Sequence, residues 1–75
     1  MGMMSEETIQ FIISRVIDNA NDALREAQEN KGDEFYVGKK LAYYEVLDTI
    51  KSELLAHDQS LKAFGLDVNL EKVFL

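Results

Sequence analysis

Two runs of apolar residues repeat at helical spacing along the chain, and one polar break divides them. In the first run Ile9, Ile12, Ile13, Val16, Ile17, Ala20, Ala23, Leu24 and Ala27 recur three and four apart, the period of one helix face. Ser5 suits the N-cap, and Glu6 and Glu7 then fall in the first turn, where the positive end of the helix dipole favours carboxylates. Asp18, Asn19, Asp22, Arg25, Glu26 and Glu29 take the opposite side, and Phe11 lies off the stripe. The stripe shrinks from Ile to Ala toward its C-terminal half, so the neighbouring helix is expected to come closest there. The spacing predicts a helix over about residues 5–30, with a turn at 30–33. In that turn Gly32 supplies a left-handed residue and Asp33 caps the second helix.

The second run has a main stripe of Phe35 or Tyr36, Ala42, Tyr43, Val46, Leu47, Ile50 and Leu54, widened by Leu41, Tyr44 and Leu55. It predicts a helix over about 34–57. No proline interrupts either run. Gly38 reads as a close-packing position against the Ala-rich end of the first helix. A break is expected near Asp58, which would cap a short turn at Ser60–Phe64 that Gly65 ends. Beyond it Leu66, Val68 and Leu70 alternate like a strand, while Leu70, Val73 and Phe74 are spaced like a helix. No second strand exists to pair with, so helix or extended coil is expected, with Asn69 or Asp67 capping a last helical turn.

These elements define an all-α fold: an antiparallel two-helix hairpin with a short C-terminal helical segment, 58–75, in a single domain over 5–75. Met1–Met4 read as a disordered start or a cloning remnant. The apolar face of the second helix is wider than one neighbour can cover. Either the tail folds back to make a three-helix core, or two hairpins pack as a two-fold four-helix bundle. Both are expected, with Phe74 and Leu75 covering a bundle end or crossing onto the partner.

Composition narrows the function. The 75 residues carry 14 Asp and Glu against 8 Lys and Arg, a formal charge of -6, and no Cys. Without Cys there are no disulfides, thiol nucleophiles or Cys-type zinc sites, and a cytoplasmic location is expected. No apolar run approaches the roughly 18 residues of a membrane span, and neither a signal peptide nor a myristoylation start is recognised. The acidic balance argues against nucleic acid and anionic membranes, whose ligands draw on Lys and Arg.

Few residues carry candidate chemistry. Glu53 and His57 stand one helical turn apart and could share a metal ion, yet His57 is the single histidine, and stable sites want three or four ligands. The segment from Gly32 to Lys40 loosely matches a phosphate-binding loop, but its spacing is wrong and no Ser or Thr follows the Lys. No nucleophile–base arrangement is recognised around His57, so no catalytic residue, cofactor or metal is assigned. Tyr36, Tyr43, Tyr44, Leu47, Ile50, Leu54 and Phe74 are the expected core or dimer interface, with Tyr44 the most outward of the aromatics. Asp18, Asp22 and Glu26 form an acidic surface suited to a basic protein partner. The function expected is that of a small acidic interaction or regulatory module, homodimeric and without catalysis. The alternatives are a purely structural homo-oligomer and a metal-binding helical protein using Glu53 and His57.

Overall fold

The structure, a computed structural model, describes residues 5–75; the expectation for Met1–Met4 lies outside them. Two long helices, α1 (Glu6–Glu29) and α2 (Glu34–Ala56), are followed by a single 3₁₀ turn (Lys62–Phe64) and a short α3 (Leu70–Phe74). Among the described residues there is no strand. Every α-helix is capped by its own sequence. The Ser5 hydroxyl accepts from the Thr8 N–H at 3.2 Å, the Asp33 carboxylate from Phe35 at 3.0 Å, and the Asn69 carbonyl from Lys72 at 3.1 Å. Each bond satisfies an amide that the first helical turn leaves without a partner.

The break after α2 lies at the expected place but is built differently. Asp58 does not cap the following turn. It adopts the left-handed conformation, φ 55°, and ends α2: its N–H donates to the Leu55 carbonyl and that of Gln59 to Leu54 at 2.8 Å. That pair of bonds is a Schellman motif, with Asp where Gly is usual. Leu61 is the N-cap of the next turn, and the Ser60 hydroxyl just before it accepts from the Ala63 N–H at 3.3 Å. Gly65, φ 75°, repeats the same closure, with Leu66 donating to Leu61 at 2.9 Å.

The core is formed by Ile13, Ala20, Leu47, Phe64, Leu66, Leu70 and Phe74. Four of these belong to the tail. The 3₁₀ turn packs on α1 and α3 packs on α2, so the tail lies along one side of the hairpin. The alternation of Leu66, Val68 and Leu70 is used without a sheet: Leu66 and Leu70 are buried, and Val68 is exposed at a bend between them. Lys51 ties that bend to α2 by donating from Nζ to the Val68 carbonyl. Phe74 is buried in its own subunit, while Leu75 stays exposed.

On α1 the small residues Ala20, Ala23 and Ala27 are all buried. Gly38 is not part of that packing, because a Cβ added there would meet nothing within 4 Å. Gly65 does sit close to α1: its Cβ position lies 3.5 Å from Ile17 Cδ1.

Leu66 is 1% exposed. Leu66→Ala is therefore expected to cost about 2–5 kcal/mol, the range for large-to-small core substitutions. Leu75→Ala should change stability by no more than about 0.5 kcal/mol. Urea unfolding monitored by circular dichroism measures both; equal, small effects would show that the tail does not hold the fold.

Candidate functional site

Two sides of the hairpin differ. On one, the tail covers Tyr44 and Lys51 of α2 and Ile17 of α1. On the other, where Glu26 and Lys39 meet, helical spacing puts Ile12, Val16 and Asn19 in line with Glu26 on α1, and Tyr43, Val46, Ile50 and Glu53 in line with Lys39 on α2. Each set is spaced three, four or seven apart, so each forms one line along its helix. The ion pair between Lys39 Nζ and Glu26 Oε1, 2.9 Å long, joins the two lines across the helices. Asn19, Glu26, Lys39 and Tyr43 line one shallow hollow there. Ile12 and Val46 are each 46% exposed, and Val16, Tyr43 and Ile50 are half-buried at the edge of the core. The outcome is an apolar strip that nothing among the described residues covers.

The expected interface residues divide between this strip and the interior. Tyr43 and Ile50 border the strip. Leu47 and Phe74 are buried within the chain's own core and have no surface left for a partner. Leu54 packs beside the core and lines a hollow with Ile9 and Phe64. Tyr36 is half-buried and meets the exposed Phe35 ring edge-to-face, with centroids 5.1 Å apart. Tyr44 is not the outward aromatic; it is half-buried against the core cluster. Burial pushes its phenol above the ordinary value, and the nearby carboxylates Glu71 and Asp48 push the same way. An aromatic that does face outward is Phe11, 67% exposed, which lies off the apolar stripe of α1.

The acidic surface is partly neutralised from within. Glu26 is half-buried and holds Lys39. Asp22 lies 3.2 Å from Arg25, which also reaches Glu29 at 3.5 Å. Asp18 has no cation within 4 Å among the described residues. At Lys39 the hydrogen bond to Glu26 raises the ammonium pKa above its ordinary value; burial opposes the rise, and the Glu26 charge adds to it.

Glu53 Oε2 lies 3.6 Å from His57 Nε2, and both side chains are exposed. They edge a hollow floored by Ile9, Leu54 and Phe64. Among the described residues no group of three His, Cys, Asp or Glu could hold a metal ion. Two exposed donors alone make a weak site. None of the described helices is long and apolar enough to cross a membrane. Comparison of the chain with protein-family models, curated proteins and solved structures finds no match.

The two perturbed groups give a pH dependence with a definite sign. Lys39 and Tyr44 both have raised values in the folded state. The unfolded chain therefore releases those protons first. Their stabilisation is complete below their unfolded values, 10.5 and 10.0, and is lost as pH rises through the folded ones. Stability should fall above about pH 10, and the fall should be shallower in Glu26→Gln and Tyr44→Phe. Urea midpoints across that range check it; identical profiles in the variants would remove both groups from the explanation.

Proposed function

We propose that the chain is a small interaction module of the cytosol, working by non-covalent contact and without catalysis, and that it pairs with a second copy as a two-fold four-helix bundle. The uncovered strip along α1 and α2 is the observation that carries this reading. Ile12 and Val46 each leave nearly half their surface in water, although they lie in line with the core residues beside them. Burying such area is favourable by roughly 25 cal/mol for each Å² of apolar surface. A two-fold axis through the strip sets each patch against its own copy, as an isologous interface requires. Phe11 and Asp18 stay outside that contact, where they line a shallow hollow beside the 3₁₀ turn and remain accessible to other proteins.

Light scattering across a range of concentrations tests the pairing. The wild-type chain should give the mass of a dimer. Ile12→Glu with Val46→Glu should give a monomer of unchanged helicity, because both side chains already reach solvent. A wild-type chain that stays monomeric at every concentration, or a double variant that stays dimeric, overturns the reading.

A further inference from the structure

At the end of the hairpin where α3 stops, α1, the α1–α2 turn, α2 and α3 together enclose an open groove of about 330 Å³. Its apolar wall is made by Leu24, Val37 and Val73, over a floor of the buried Phe74. Lys31, Lys40 and Lys72 line it too, one each from the turn, α2 and α3. No Asp or Glu side chain lines the groove. That is unexpected in a chain of charge -6, and four other hollows on the described surface carry two or three carboxylates each. Nor are the three lysines spent inside the fold: among the described residues, none has a carboxylate within 4 Å. Three cations from separate elements thus converge on exposed apolar surface, and no acidic side chain in the groove balances them.

We propose that this groove docks an acidic amphipathic segment of a partner protein. Its large apolar side chains would rest on Leu24, Val37 and Val73, and its carboxylates would pair with Lys31, Lys40 and Lys72. The division of labour is physical. Apolar contact supplies the area, and the lysine stems extend that wall while their ammonium heads remain free to bond. Ammonium–carboxylate bonds are charge-assisted and fix the register of the segment. The many acids elsewhere do not forbid this, because salt at about 0.1 M screens charges beyond about 10 Å, whereas the lysines act at contact. The inference rests on the reading of the chain as an interaction module, but it uses a surface separate from the strip at Ile12 and Val46.

A fluorescein-labelled helical peptide with Leu and Phe three and four positions apart on one face and Glu flanking that face is the probe, with a control in which every Glu is Gln. Fluorescence anisotropy against the full chain should show the Glu peptide binding and the Gln control binding several-fold more weakly. Combining Lys31→Gln, Lys40→Gln and Lys72→Gln should weaken the Glu peptide roughly tenfold. Val73→Asp, at an exposed position, should do the same. Amide resonances of Val37 and Val73 should shift on binding. The proposal is overturned if the Glu peptide fails to bind, if both peptides bind alike, or if the triple variant keeps full affinity. It is also overturned if dodecanoate shifts those resonances and the peptide does not, since the site would then be one for a small anionic amphiphile. Solution mass, recorded on the same samples, keeps the two readings apart: a dimer that ignores the peptide fails the groove alone.

Discussion

The packing of Phe64, Leu66, Leu70 and Phe74 against the α1–α2 pair is the contact on which the rest of the fold depends. Two antiparallel helices by themselves bury only the line where they touch, and on α1 much of that line is alanine, which offers little area. The tail adds two Phe and two Leu from its last twelve residues. Without them Leu47, Ile13 and the inner edges of Tyr44 and Leu54 would face water. The tail reaches its place because two left-handed residues, Asp58 and Gly65, turn the chain in quick succession. Each closes a helical segment with the same pair of backbone bonds, so the amides at each turn find partners within the chain.

That solution is one-sided, and the one-sidedness gives the molecule its character. A tail of this length covers one flank of the hairpin. The other flank keeps its aliphatic side chains in water, with the Glu26–Lys39 pair holding the helices in register across it. The described residues extend over 44 × 24 × 16 Å, a flattened and elongated slab. In a slab every helix has a face that the chain cannot cover. Among the described residues no polar or charged residue is buried, so the polar groups that a partner would meet lie on the surface.

Charge is distributed with the same unevenness. Summed over the chain it is strongly acidic, which the composition shows at a glance. Resolved over the surface, Glu26, Asp22 and Glu29 are held by Lys39 and Arg25, while three lysines with no carboxylate within 4 Å among the described residues gather where the turn and α3 meet. A net charge describes behaviour at distances beyond the screening length; what a partner meets on contact is the local set.

The helices, their N-caps and the places where they break were legible in the sequence, because each depends on residues three or four apart, although Asp58 closes α2 and does not cap the turn after it. Ser5, Asp33 and Asn69 cap where a short polar side chain before an apolar run should, and the stripe of α1 is the face that is buried. The alternation of Leu66, Val68 and Leu70 is matched by burial though not by a strand, since the chain bends at Val68 and Leu70 opens α3. Spacing misplaces Tyr44 for a reason that it cannot repair. The position of Tyr44 on the flank of α2 leaves it outward in a hairpin, and it is covered only because α3 returns to that flank. Likewise Gly38 has the look of a contact and is open, because the close approach falls on the alanines of α1 instead. Nor could spacing gather Lys31, Lys40 and Lys72, which are spread over 42 positions of the chain. Local order follows from local residues. Which flank the tail covers, which is left open and which charges become neighbours depend on contacts between segments distant in sequence, and those are decided only when the chain closes on itself.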